Sequence, residues 1–150
     1  MATTFTSLHV HLVFSTKNRE PWLTAEIESR VWTYLGGIAT ENGIQPIQIG
    51  GYTDHIHALV GLPATLSVSR AAQLLKTGSS SWIHETFPKL RAFAWQDGYG
   101  AFAVSRSRLD AVAKYIRDQP EHHRTLTFAE EYRALLKRHG IAFDERYMLG

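Results

Sequence analysis

His55-Ile56-His57, two histidines separated by one aliphatic residue, is the first part of this chain whose residue types and spacing support chemistry. A turn-rich run, Gly50-Gly51-Tyr52-Thr53-Asp54, precedes the pair, and the strand-forming Ala58-Leu59-Val60 follows it. In a strand, successive side chains face opposite ways, so His55 and His57 share one face and Ile56 takes the other. At about 3.3 Å per residue their Cα atoms stand roughly 6.6 Å apart, close enough for both imidazoles to reach one ion. Imidazole is a common ligand of transition metals, and two imidazoles need at least one further donor. His9-Val10-His11 repeats the spacing on another expected strand, so spacing alone does not choose between the pairs.

Further along, Val112-Ala113-Lys114-Tyr115-Ile116-Arg117-Asp118-Gln119-Pro120 reads as the end of a helix. Tyr115 and Gln119, four residues apart, would share a helix face. A tyrosine hydroxyl can act as a covalent nucleophile, and a glutamine carbonyl oxygen can ligate a metal. Taken alone, a tyrosine at this spacing is a packing residue.

The chain of 150 residues is 44% hydrophobic and 20% charged, the profile of a soluble, ordered globular domain. Its formal net charge is +2, which permits a local nucleic-acid patch without demanding one. The absence of cysteine excludes disulfides and thiolate metal sites and is compatible with a reducing cytoplasm. No run of about 18 apolar residues would span a membrane. The start lacks the basic-then-apolar pattern of a secretory signal. The expected location is therefore the cytoplasm.

The elements that must position these residues follow from periodicity. Thr6 to Phe14 alternates as a first strand, and Thr24 to about Asn42 has helical spacing with Gly43 as a stop. Ile44 to Gly50 gives a second strand, placed at an edge by Pro46. The turn Gly50 to Asp54 leads into a third strand, His55 to Leu62. A second helix runs from a Ser67 or Ser69 cap to about Phe87. Phe93 to Trp95 and Gly100 to Ser105 are short strand candidates, and a helix from Ser107 to Pro120 carries Tyr115. A further helix is expected at about Thr127 to His139. This order predicts one α+β domain over residues 1–150, with a ferredoxin-like split βαβ antiparallel sheet and helices on one face. The tyrosine helix is additional, and 121–150 is a C-terminal helical extension. The histidine face would lie opposite the helices unless a later helix covers it.

The combination closely resembles the HUH single-tyrosine transposases of the small insertion-sequence family, over nearly the whole chain. Phe14-Ser15-Thr16-Lys17-Asn18-Arg19 resembles the end of the family's first strand, and Asp54-His55-Ile56-His57-Ala58-Leu59-Val60 its metal strand. Leu75-Lys76-Thr77-Gly78-Ser79-Ser80 resembles its second-helix motif, with Thr77 interrupting an otherwise adjacent Lys-Gly. Trp95-Gln96-Asp97-Gly98-Tyr99-Gly100 and Tyr115-Ile116-Arg117-x-Gln119 complete the set.

The resemblance implies a DNA transposase that recognises the hairpin ends of a mobile element and cuts and rejoins single strands through a 5′-phosphotyrosine. It implies Tyr115 as nucleophile, and His55, His57 and Gln119 as ligands of a divalent ion, Mg²⁺ or Mn²⁺. It also implies a homodimer in which the tyrosine helix of one subunit serves the histidines of the other. His9 and His11 match no metal position and would support the site from behind. Lys17, Arg19, Lys76, Ser79, Arg106, Arg108 and Lys114 are the expected DNA contacts. No acidic residue stands out as a general base. Two other readings share the same features: a non-catalytic hairpin-binding module stacking bases on Tyr52, Trp95 and Tyr99, and a domesticated relative that processes chromosomal palindromes. A histidine-triad hydrolase is set aside, because Leu59 occupies the position of its third histidine.

Overall fold

A computed structural model describes residues 3–150. Four strands, β1 (His9–Ser15), β2 (Gln45–Tyr52), β3 (His55–Gly61) and β4 (Gly100–Val104), form one sheet in the order β2-β3-β1-β4. The described pairings are antiparallel, which with helices α1 (Glu28–Glu41) and α2 (Val68–Thr86) gives the expected split βαβ arrangement. Strands β1 and β3 are central neighbours, and β2 lies at an edge, where Pro46 is tolerated beside a register shift.

The alternation within the central strands divides the core in two. Leu12, Phe14, Ile56, Ala58 and Val60 face α1 and α2, packing with Leu35, Leu75 and Trp95. His11, Val13, His55, His57 and Leu59 point to the opposite face. That face is also covered, by helices α3 (Leu109–Arg117), α4 (Gln119–His122) and α5 (Phe128–Arg138). Ala113 and Ile116 of α3 pack on Leu59, while Phe128, Tyr132, Leu135 and Leu136 of α5 pack with Val13 and Phe102. The later helices thus enclose the histidines.

Helix α5 starts where the sequence dictates: Thr127 accepts from the Glu130 amide and Glu130 reaches back, a reciprocal cap. Ser67, not Ser69, caps α2 through the Arg70 amide. Helix α1 begins at Glu28, after a separate turn closed by the Thr24 carbonyl. Phe93 to Trp95 is not a strand; Trp95 makes only an isolated bridge to Thr16. β1 begins at His9 and not Thr6.

The turn before the histidines is shorter than the glycines imply. Both strands run up to Thr53-Asp54, so Gly50 and Gly51 lie within β2. Close approach explains them. A Cβ on Gly50 would stand 3.0 Å from the Ile116 side chain and 3.1 Å from its carbonyl oxygen, and one on Gly51 would collide with the His55 carbonyl. Because backbone atoms block Gly51, the strain cannot be relieved by a rotamer change. Gly51→Ala should destabilise the chain by about 3 kcal/mol, at the upper end of overpacking costs, read as a lower midpoint in urea unfolding.

Candidate active site and metal centre

Four elements and the segment after α4 bring polar side chains to one buried point. β3 supplies His55 and His57, α3 Tyr115, α4 Gln119 and α5 Glu131, and His123 follows α4. His55, His57 and Gln119 have no exposed surface, and Glu131 has almost none. Glu131 Oε1 is 3.1 Å from Nε2 of both His57 and His123, and 3.3 Å from Nε2 of His55. Its Oε2 accepts from Gln119 Nε2 at 2.7 Å and from the Tyr115 hydroxyl. Gln119 Oε1 lies 2.8 Å from His55 Nε2 and 3.0 Å from His123 Nε2.

The far nitrogen of each imidazole is also held. His55 Nδ1–H donates to Asp54 at 2.7 Å, and His123 Nδ1–H donates to the Leu126 carbonyl at 2.6 Å. His57 Nδ1 and His11 Nε2 are 2.7 Å apart; with His57 Nε2–H directed to Glu131, this contact is satisfied when His11 donates. With Nδ1 fixed in this way, Nε2 of each ring is aimed at the cluster. Metal-binding histidines are commonly oriented through the other ring nitrogen. One donor atom from each of His55, His57 and Glu131 lies within 4.8 Å of the other two. Imidazole and carboxylate donors, buried and pre-aimed, fit a divalent metal ion.

The electrostatics follow from packing anions and imidazoles out of water. Burial alone would lower the pKa of His55, but its hydrogen bonds to Asp54 and Glu131 outweigh that and raise it to about 9. Burial dominates at His57 and His11, which are pushed down. Burial pushes the Glu131 carboxyl up, yet hydrogen bonds from His123, His55 and His57 win and hold it well below the usual carboxylate range. Burial and the Glu131 charge push the Tyr115 phenol well up, so Tyr115 is a neutral donor at neutral pH.

The arrangement brings together all four residues of the expected centre, His55, His57, Tyr115 and Gln119. Tyr115 approaches the histidines of its own chain, with ring centroids of His57 and Tyr115 5.8 Å apart. One expected detail is corrected: Tyr115 and Gln119 do not share a continuous helix. Pro120 cannot donate to the Ile116 carbonyl, so α3 ends at Arg117, and α4 restarts from Asp118. Of the supporting histidines, His11 meets His57, whereas His9 sits at the other end of β1 opposite Gly61.

Glu131 and His123 were not singled out by sequence reasoning. A signal for Glu131 was present: it falls within the stripe Phe128, Tyr132, Leu135 of α5, where a surface glutamate would not be placed. His123, between charged and polar neighbours, carries no such signal.

The expected DNA contacts divide. Lys17, Arg106, Arg108 and Lys114 are exposed, and Lys114 pairs with Asp118. Arg19 donates to the Leu149 carbonyl. Two candidates are turned inward and serve the scaffold. Lys76 Nζ donates to the carbonyls of Gln96, Asp97 and Gly98 at 2.8, 3.1 and 2.6 Å. Ser79 is fully buried, donating to the Leu75 carbonyl and accepting from Trp95 Nε1.

Comparison with known proteins decides the family. A family model described as "Transposase IS200 like" matches residues 4–119. The chain belongs to this family. Its function is that of a transposase, a DNA-processing enzyme. The ISDra2 transposase TnpA of Deinococcus radiodurans is 26% identical over 117 residues, covering 75% of this chain and 84% of the relative. The transposase for insertion sequence element IS200 of Salmonella typhimurium is 29% identical over 117 residues, covering 74% of this chain and 76% of the relative. A crystal structure from D. radiodurans described as a transposase superposes with a TM-score of 0.67 at 25% identity, covering 79% of this chain and 95% of that one. A REP-associated tyrosine transposase bound to a REP hairpin shares the fold, with a TM-score of 0.59 at 15% identity over 82% of this chain and 72% of that one. Glu131 and helix α5 lie beyond the residues matched by the IS200-like family model.

Because His11 orients His57, His11→Ala should weaken divalent-ion binding about 10-fold to 100-fold, measured by titration calorimetry. His9→Ala, away from the cluster, should bind within about twofold of the parent.

Proposed function

We propose that the chain cleaves and rejoins single-stranded DNA at the hairpin ends of a mobile element, with Tyr115 as nucleophile. The observation that carries this reading is the Tyr115 hydroxyl on the same buried cluster as His55, His57 and Gln119, although the four come from three separate elements. A cluster so completely bonded argues for chemistry over the binding-module reading. That reading also loses part of its stacking surface: Trp95 is buried edge-on against Phe14 and Phe93, and one face of Tyr52 lies on His123.

His55, His57 and Gln119 are the proposed ligands of a divalent ion, Mg²⁺ or Mn²⁺. Such an ion supplies electrostatic stabilisation of charge developing on a phosphodiester. The chain's own groups do the rest. Tyr115 Oη attacks phosphorus, the P–O3′ bond breaks, and the DNA is left with a 5′-phosphotyrosine and a 3′-OH. The phenol proton must leave as the Oη–P bond forms, and the departing O3′ must gain one. The bond energy stays in the tyrosyl phosphodiester, so a 3′-OH can reverse the step without a nucleotide cofactor.

A cavity of about 570 Å³ leads to Tyr115, lined in part by His11, Ser105, Arg108, Arg138 and His139. We assign this cavity to the strand that enters for cleavage, with Arg108 and Arg138 on phosphates. Lys17, Arg19, Arg106 and Lys114 are proposed contacts further along the DNA. A homodimer serves strand exchange, where two tyrosyl ends must be held together. The proposed cut is made in cis, with the Tyr115 ring 5.8 Å from the His57 ring of its own chain and its hydroxyl on Glu131.

Mass spectrometry after incubation with single-stranded hairpin DNA and Mn²⁺ should show a nucleotide adduct on Tyr115. Tyr115→Phe should keep gel-shift binding and lose the adduct; an adduct that persists assigns the nucleophile elsewhere. Mixed His57→Ala and Tyr115→Phe subunits should stay inactive for cleavage, whereas recovery would mean that the tyrosine is exchanged between subunits. Arg108→Ala should lower the slope of log binding constant against log salt by about 0.7, one phosphate's share on a single strand.

A further inference from the structure

We propose that Glu131 is itself a ligand of the ion, so that the ion fastens helix α5 to the catalytic strand and the site favours a transition metal over Mg²⁺. The inference deepens the reading of His55 and His57 as an ion site and rests on it.

Three observations carry the proposal. The first is placement. Glu131 Oε1 is the point on which three Nε2 atoms converge, from His55, His57 and His123. It stands 3.3 and 3.1 Å from Nε2 of His55 and His57, and the three donor atoms lie within 4.8 Å of one another, so an ion bound by the two strand histidines has this oxygen within reach.

The second is charge. Two imidazoles and an amide are neutral ligands. A dication held by them alone would be buried with its charge uncompensated, which is costly away from water. The Glu131 carboxylate supplies the nearest negative charge, and Asp54 lies behind His55 on its other nitrogen.

The third is architecture. Glu131 is held where it is by an apolar stripe that packs Phe128, Tyr132, Leu135 and Leu136 against Val13 and Phe102. Gly100 of β4 leaves room for this packing, since a Cβ there would meet the Tyr132 ring at 2.7 Å. The helix is therefore built to deliver a carboxylate to the strand, and residues after 119 complete a site that the family match leaves at two histidines and an amide.

The donor chemistry sets the ion. Two imidazole nitrogens with one carboxylate suit Mn²⁺, Fe²⁺, Co²⁺ or Zn²⁺, whereas Mg²⁺ prefers an oxygen shell and retains its waters. His123, hydrogen-bonded to both Gln119 and Glu131, acts as a positioning residue that keeps both oxygens turned inward.

The test uses the whole chain without DNA. Calorimetry with MnCl₂ and MgCl₂ should give Mn²⁺ binding about 100-fold tighter than Mg²⁺. Glu131→Gln should weaken Mn²⁺ binding about tenfold or more. In the parent, Mn²⁺ should slow hydrogen–deuterium exchange across 128–138. Unchanged or tighter Mn²⁺ binding in Glu131→Gln overturns the proposal, because the carboxylate would then be a plug that the ion displaces. Mn²⁺ binding to the parent without added protection of α5 also overturns it, and that measurement does not depend on the variant folding. His57→Ala separates the two levels: if it binds Mn²⁺ like the parent, the histidine ion site fails, and the role of Glu131 fails with it.

Discussion

A carboxylate withdrawn from water must be surrounded by donors, and the histidine face of this sheet is arranged around that requirement. Glu131 is satisfied by imidazoles from β3 and from the segment after α4, by the Gln119 amide and by the Tyr115 hydroxyl. Each of these groups sits on a different element, so the elements covering that face are tied to one point. Removing a single donor would leave a buried acceptor short of a partner, a penalty of about 1–3 kcal/mol and more for a charged group. This constraint explains why α3, α4 and α5 close over a face that a four-stranded sheet of this topology could have left open.

Much of this was legible in the residues. The alternation of β1 and β3, the edge proline of β2 and the helical stripes fix the split βαβ order. Type and spacing mark His55, His57, Tyr115 and Gln119 only as candidates; the choice of this pair over His9 and His11, and the grouping of the four, comes from the family resemblance. Glu131 was not marked, because a glutamate in Phe-Ala-Glu-Glu-Tyr looks like a solvated helix face until the partner surface is known. Only its position between Phe128 and Leu135 distinguishes it from Glu130, which spends its carboxylate on the helix cap. His123 was invisible for a different reason: its role comes from a turn, which has no periodicity to read. The two glycines before His55 were misplaced into a turn because a glycine in a strand looks the same in sequence as one in a bend, while their reason, contact with Ile116 and with the His55 backbone, is tertiary.

The motifs separate into chemical and structural ones. Lys76 and Ser79, in a run of short polar residues beside a cation, resemble a phosphate site. In the fold they hold a loop: three carbonyls of Gln96 to Gly98 ring the ammonium, and Trp95 bonds to the Ser79 hydroxyl. Gln96 in turn accepts from the Ser15 amide at the end of β1. Two motifs far apart in sequence are therefore halves of one brace, and Gly78 lets α1 approach closely, with Ile38 2.9 Å from where a Cβ would stand. The brace stiffens the end of the sheet from which Asp54 and His55 emerge, since Thr16 is also bonded to the Asp54 carbonyl.

The interruption at Asp118 gives the Tyr115 phenol and the Gln119 amide separate levers. In an unbroken helix, Tyr115 and Gln119 would be two teeth on one rod, and any swing of the rod would carry both. Here the axis is jointed between them, with Asp118 at ψ 10° and Pro120 in the first turn beyond. Gln119 is anchored to His55, His123 and Glu131, while the Tyr115 hydroxyl donates to Glu131. A small rotation of α3 about this joint changes the reach of the phenol and leaves the amide seated. The proposed nucleophile is thereby mechanically decoupled from the proposed metal ligand.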